Sequence, residues 1–69
     1  MNNDTLIRMA NQIADFFAPY PHQEAVDGVA GHIKSFWDPR MRADFFRTLD
    51  SGAQGVHPLV IEAVEMLRH

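Results

Sequence analysis

The sequence contains no cysteine, and this absence removes two common means of stabilising a very small domain. Neither disulfide bonds nor thiolate metal sites can form. A chain of 69 residues buries only about 60% of the surface that its unfolded form exposes, so its own core gives marginal stability. We therefore expect helix packing and contact with a partner to supply the remainder.

Long apolar runs and an excess of basic residues are also missing. No apolar stretch is long enough to form a membrane-spanning helix. The residues Met1-Asn2-Asn3-Asp4 lack the basic region and apolar core of a secretory signal. The net charge of −3 argues against general binding to nucleic acid. These features predict a soluble, cytoplasmic protein that binds neither membranes nor nucleic acid.

Proline and glycine divide the sequence into four segments, and apolar residues, which make up 46% of the chain, recur in each at helical spacing. The sequence therefore predicts an all-α fold, a small bundle of about four short helices that forms a single domain over residues 1–69. The predicted helices run from about Asp4 to Phe17 with Asn3 or Asp4 as N-cap, from His22 to Phe36 after Pro21, from Asp38-Pro39 to Leu49, and from Pro58 to the C-terminus with His57 approximating an N-cap.

The predicted apolar faces are wider than a surface helix requires. The first helix carries apolar residues around half its circumference, whereas a stripe of about 100° suffices. In the second helix Phe36 and Trp37 share one apolar face, and in the fourth Met66 lies on the apolar face while Ile61 points away. We therefore expect one face, from the first helix, to complete its burial on another chain. The alternative is a compact four-helix domain with a few exposed apolar side chains, which is normal for folded proteins.

The most unusual stretch is FWDPRMR, residues 36–42, because it places Arg40 and Arg42 in the first turn of a helix. The positive end of the helix dipole disfavours cations there. One interpretation is local: Asp38 caps the helix and pairs with Arg42. The other is that an arginine grips a carboxylate, carbonyl or phosphate on a partner. Arg47 and Asp44 are expected to form a solvated ladder on the same side as Arg40.

Gly28 and Gly31 are unusual in a helix interior, where each costs up to about 1 kcal/mol relative to alanine. Small residues three apart let another backbone approach, so the pair either forms a docking patch or marks a tolerant or kinked helix.

The remaining polar residues predict neither a metal site nor catalysis. The histidines (His22, His32, His57 and His69) are scattered, and the acids Asp27, Glu62 and Glu65 fall on solvated faces. The candidate residues for contact with a partner are therefore Phe16, Phe17, Phe36, Trp37, Arg40 and Arg42.

Three blocks carry a family resemblance: RMANQIA at residues 8–14 with Phe16-Phe17, FWDPRMR at residues 36–42, and PLV at residues 58–60 leading to Ala63. The chain resembles the delta subunit of the soluble, NAD-dependent formate dehydrogenases that contain molybdenum or tungsten. The segment of residues 24–32 is also similar, and Val56, where leucine is expected, is a minor departure.

The resemblance implies a non-catalytic accessory subunit that binds no cofactor itself. In such a complex the alpha subunit holds the bis-molybdopterin guanine dinucleotide, with molybdenum or tungsten, at which formate is oxidised. The beta and gamma subunits pass electrons through iron–sulfur clusters and FMN to NAD. The delta subunit would support assembly or stability through contact with the alpha subunit. The resemblance assigns no role to individual residues.

Two alternatives come from other classes of function. The first alternative is a free-standing helical interaction module or homodimer that buries the same faces on itself. The second is a small helix-turn-helix protein that binds nucleic acid through Arg40, Arg42 and Arg47. The acidic balance disfavours the second.

Overall fold

The structure is a computed structural model that describes residues 3–68. Helix α1 spans Asn3–Phe17, α2 spans His22–Phe36, α3 spans Pro39–Asp50 and α4 spans Pro58–Arg68. No strand occurs within these described residues. The prediction of an all-α fold with four short helices is confirmed, and the predicted start of α1 and end of α3 each differ from the observed position by one residue.

Local chemistry explains where the later helices begin. The Asp38 Oδ1 atom accepts a hydrogen bond of 2.8 Å from the Met41 N–H, and Pro39 occupies the first helical position. The His57 Nδ1 atom accepts a hydrogen bond of 3.1 Å from the Leu59 N–H, which confirms that His57 acts as an N-cap for α4. In α1 the prediction was wrong, because Asn3 and Asp4 both lie inside the helix. The residue before Asn3 lies outside the described residues.

The core is assembled around α2, which packs against α1 and, over its largest interface, against α4. Helix α1 contacts the other three helices, whereas α3 rests mainly on α1 and makes few contacts with α2 or α4. The buried apolar residues are Leu6, Ala10, Ala14, Ala25, Val26, Val29, Ala30, Ile33, Trp37, Phe45, Leu59, Val60, Ala63 and Val64. All four helices therefore contribute to one continuous core.

The wide apolar face of α1 is covered mostly by the chain itself. Three of its residues are fully buried, and Ile7, Met9, Ile13 and Phe17 are partly buried against the core. Phe16 is the large apolar residue of α1 that stays exposed, with 66% of its surface accessible. The expectation that a whole face of the first helix remains uncovered is therefore too strong, and the surplus is confined to single side chains.

The close approach of α1 to α2 depends on Gly28. A Cβ atom added to Gly28 would lie 2.5 Å from the Cδ1 and Cε1 atoms of the Phe17 ring, which is a severe overlap. A Cβ added to Gly31 would meet nothing within 4 Å. Gly28 therefore serves packing inside this chain rather than docking of another, whereas Gly31, the other glycine of α2, faces open space.

The side chain of Asn11 hydrogen-bonds the connection between α3 and α4 to α1. The Asn11 Nδ2 atom donates a hydrogen bond of 2.8 Å to the carbonyl of Gly55, and the Asn11 Oδ1 atom accepts one of 2.9 Å from the N–H of His57. Gly52 and Gly55 adopt φ angles of +89° and +78° in this connection, a conformation that glycine adopts at little cost. Asn11 thereby holds the start of α4 against α1.

Substituting the two glycines of α2 should change stability in opposite directions. In Gly28→Ala the overlap with Phe17 should cost about 1–3 kcal/mol, which exceeds the gain in helix propensity and lowers the free energy of unfolding. Gly31→Ala, the matched control, should raise it by up to about 1 kcal/mol. Urea denaturation followed by circular dichroism measures both. Equal stabilisation by the two alanines would show that Phe17 does not occupy this space.

Removing the Asn11 side chain should loosen the start of α4. We expect Asn11→Ala to lower the free energy of unfolding by about 1–2 kcal/mol, since two hydrogen bonds are lost, and to speed exchange of the His57 amide proton. Asn11→Asp keeps the acceptor and loses the donor, so its free energy of unfolding should lie between those of the wild type and Asn11→Ala. Gln12→Ala, an exposed neighbour, is the control. An unchanged exchange rate of the His57 amide proton in Asn11→Ala would show that Asn11 does not hold this segment in place.

Candidate functional site

Three aromatic side chains cluster where α1 ends and turns toward α2. The Phe17 ring lies over Gly28, with Phe16 at 5.0 Å and Tyr20 at 5.6 Å between ring centroids. Phe17 is partly buried, while Phe16 and Tyr20 are exposed. The anchored central ring thus supports two outer rings that offer apolar area to a partner, and we call Phe16, Phe17 and Tyr20 the aromatic cluster.

Phe36 and Trp37 are neighbours in sequence but lie in opposite environments. Phe36 is 74% exposed and its ring centroid is 4.7 Å from that of His32, whereas Trp37 is 5% exposed and packs edge-on against Phe45 at 5.4 Å. The structure therefore removes Trp37 from the candidates that a partner can reach and leaves Phe36 among them.

The end of α2 explains this separation. The last helical residue is Phe36, and Trp37 has an extended backbone with φ −90° and ψ 134°. Its N–H still donates to the carbonyl of Ile33, while its side chain turns into the core. Placing both residues on one face was wrong: Trp37, just past the last helical residue, is buried with that face, whereas Phe36 is exposed.

The two arginines at the start of α3 have no partner in the described part of the chain. Arg40 is exposed and Arg42 is half-buried, and neither side chain forms a hydrogen bond or an ion pair with residues 3–68. The expected pairing of Asp38 with Arg42 does not form, because the Asp38 carboxylate caps the helix instead. Both guanidinium groups remain available to an external acceptor.

Two other arginines, one in α3 and one in α4, are paired within the chain. Arg47 pairs with Asp44 one turn earlier, as expected for a solvated pair, although Arg40 takes no part. Arg68 contacts Asp50 at 2.9 Å and the Phe46 carbonyl at 3.0 Å, and its guanidinium lies 5.0 Å from the centroid of the Phe46 ring. Arg47 and Arg68 of α3 and α4 are therefore paired within the chain, in contrast to Arg40 and Arg42.

A groove beside the α3 start was not predicted from the sequence. Its volume is about 370 Å³. It is lined by Lys34 of α2, by Pro39, Arg42, Ala43 and Phe46 of α3, and by Met66 and Leu67 of α4. Met66 was assigned to the buried face of the fourth helix, yet it is 46% exposed. Ile61 is exposed, as predicted. Because the groove residues come from three helices, no spacing within one helix indicates it.

The histidines and acids do not converge on one site. The His22 Nε2 atom lies 3.0 Å from the Glu62 Oε1 atom, and Asp27 accepts a hydrogen bond from Gln23. Asp27, Glu62 and Glu65 are exposed, as expected for solvated faces. Residues 3–68 contain no group of three or more His, Asp or Glu side chains that could hold a metal ion. His69 lies outside the described residues.

Comparison with known proteins identifies the family. The family described as the NADH-dependent formate dehydrogenase delta subunit, FdsD, matches residues 5–64 of this chain. The chain therefore belongs to the formate dehydrogenase delta subunit family. No curated protein and no solved structure gives a significant match. Among the described helices, none is long and apolar enough to cross a membrane.

Adjacent aromatic residues should separate the core from the exposed surface experimentally. We expect Trp37→Ala to lower the free energy of unfolding by about 3–5 kcal/mol because it removes a buried ring. Phe36→Ser, one residue earlier, should change it by less than about 0.5 kcal/mol, as surface substitutions usually do. Thermal denaturation of both variants is the measurement. A large loss in Phe36→Ser would mean that its ring is part of the core.

Proposed function

We propose that this chain is a non-catalytic accessory subunit of a cytoplasmic formate dehydrogenase, which supports the assembly or stability of the catalytic alpha subunit. The observation that carries the proposal is the set of large apolar side chains exposed on a very small fold, in a chain of the delta subunit family. These side chains are Phe16, Tyr20, Phe36, Ile61 and Met66.

The energetic argument concerns the aromatic rings. Full burial of a phenylalanine side chain contributes about 1.5–3 kcal/mol. Phe16 and Phe36 are mostly exposed, so most of this contribution is still to be gained when a partner covers each ring. Association also costs translational, rotational and side-chain freedom, which a few fully covered aromatic anchors offset better than many weak contacts do. Aromatic cluster residues and Phe36 are therefore the proposed contacts, with Arg40 as a charged contact.

The stabilising effect on the complex would follow from mass action. A chain that binds the assembled state, and not the unfolded or dissociated state, shifts the equilibrium toward assembly in proportion to its concentration above its dissociation constant. No chemical step needs to occur on this chain for that effect. We assign the molybdopterin cofactor, the iron–sulfur clusters and FMN to the alpha, beta and gamma subunits, as the family resemblance implies.

Deleting the chain from a host that expresses the complex tests this role. The yield or thermal stability of active enzyme should fall, because the assembled state loses a binding partner. The KM for formate of the surviving enzyme should stay unchanged, because the reaction site lies on another subunit. Activity per cell, cofactor content and formate kinetics are the measurements. Normal yield and normal cofactor content after deletion would contradict the proposal.

Complementation separates a surface role from a folding role. The deletion strain should be restored by the wild-type chain, and poorly by a chain that carries Phe16→Ser with Phe36→Ser, since both rings are exposed in the folded chain. Gln12→Ala serves as the matched surface control. Light scattering on the isolated chain addresses the homodimer alternative: a stable dimer that does not exchange with the other subunits would favour that alternative instead.

A further inference from the structure

The groove beside α3 exists because one helix is incompletely packed. Helix α3 rests mainly on α1 and makes few contacts with α2 and α4. At one end Arg68 bridges α4 to Phe46 and Asp50 of α3. At the start of α3 no such bridge forms among residues 3–68, and the space between the three helices opens to solvent as the groove of about 370 Å³.

The groove continues along α2 into a second cavity of about 330 Å³. Both cavities are lined by Lys34, Met66 and Leu67, and the second extends to Gly31 and Asp27. From Asp27 to Lys34 the rise along α2 is about 10 Å, or two helical turns. Open space beside Gly31 leaves room for a neighbouring backbone. The combined groove is therefore long enough for a short helical segment.

The two cations of the groove give it a charge opposite to that of the whole chain. Lys34 and Arg42 form no hydrogen bond or ion pair with residues 3–68 through their side chains. The chain carries a net charge of −3, so the end of the groove that holds Lys34 and Arg42 is positive on a protein that is negative as a whole. Phe46, Met66 and Leu67 supply apolar area beside these cations.

We infer that this groove binds a short amphipathic helix of another formate dehydrogenase subunit, with apolar residues on Phe46 and Met66 and carboxylates paired with Lys34 and Arg42. This inference rests on the proposed function and adds the partner surface and its chemistry. Placing the apolar face of a helix in a groove is a common mode of protein recognition. The charges of the groove also fix the direction of the bound helix, because its acidic flank lies at the Arg42 end of the groove, away from Asp27.

A second copy of this chain fits the groove less well. In a symmetric dimer built on this face, the groove of one copy would meet the same groove of the other. With the two grooves parallel, Lys34 and Arg42 would face the same two cations of the other copy, and like charges across an interface oppose association. With the grooves antiparallel, the two cations would meet a single groove carboxylate, that of Asp27. A polyanion such as nucleic acid would leave the apolar wall uncovered. An acidic, apolar segment satisfies both parts of the lining.

Charge reversal in the groove tests the inference. The full-length chain carrying Lys34→Glu with Arg42→Glu is co-expressed with the other subunits, and its association is measured by copurification and by titration at two salt concentrations. We expect binding roughly 10-fold weaker or more, with a smaller salt dependence. Arg8→Glu with Arg47→Glu makes the same change in net charge outside the groove and should bind like wild type. Circular dichroism checks that both variants are folded.

Photo-crosslinking provides a second readout that does not depend on charge reversal. A benzoylphenylalanine placed at Met66, which is partly exposed, should crosslink to a peptide of another subunit that contains both acidic and apolar residues. Crosslinking to a second copy of this chain, or to no subunit, would overturn the inference.

The results distinguish the two proposals. If the wild-type chain associates and the groove variant associates equally well, the groove inference fails while the accessory role stands. If the wild-type chain does not associate with the other subunits at all, both fail.

Discussion

Helix α1 lies against α2 where the Phe17 ring covers Gly28, and the positions of the other helices follow from this contact. Helix α2 also packs against α4, and α1 carries α3. A side chain at position 28 would force the ring, and with it the end of α1, away from α2. Because interiors are packed to nearly crystalline density, such a displacement is transmitted rather than absorbed. One missing Cβ atom thus sets the geometry of a four-helix core that no disulfide reinforces.

The same contact determines which surfaces remain available. Since α3 is held mainly by α1, the space between α3 and the α2–α4 pair is left open except where Arg68 bridges it. The anchored ring of Phe17 also supports the exposed rings of Phe16 and Tyr20. Both the groove and the aromatic cluster therefore arise from how α1 is seated. The exposed apolar area is held in place by the core and is not a consequence of loose packing.

Features that depend on residues close together in the sequence could be predicted, whereas features that depend on contacts between helices could not. The starts of α3 and α4 were predictable because Asp38 and His57 cap amide groups two or three residues away. The opposite environments of Phe36 and Trp37 were not predictable, because they depend on the residue at which α2 ends and on Phe45 in another helix. Gly28 was recognised as unusual, but its partner Phe17 was identified only by the fold. The groove joins three helices and leaves no signal in any one of them.

Binding and stability are separable at two of the exposed rings because each lies beside a residue that performs the structural role. Phe36 precedes buried Trp37, and Phe16 precedes the anchored Phe17. Exposed rings can thus be retained for a partner with little effect on folding. Association nevertheless couples the two properties, since linkage is reciprocal. If only the folded chain binds the complex, the free energy that stabilises the assembled enzyme also stabilises the chain against unfolding. A 69-residue fold without cysteine gains from that coupling as much as its partner does.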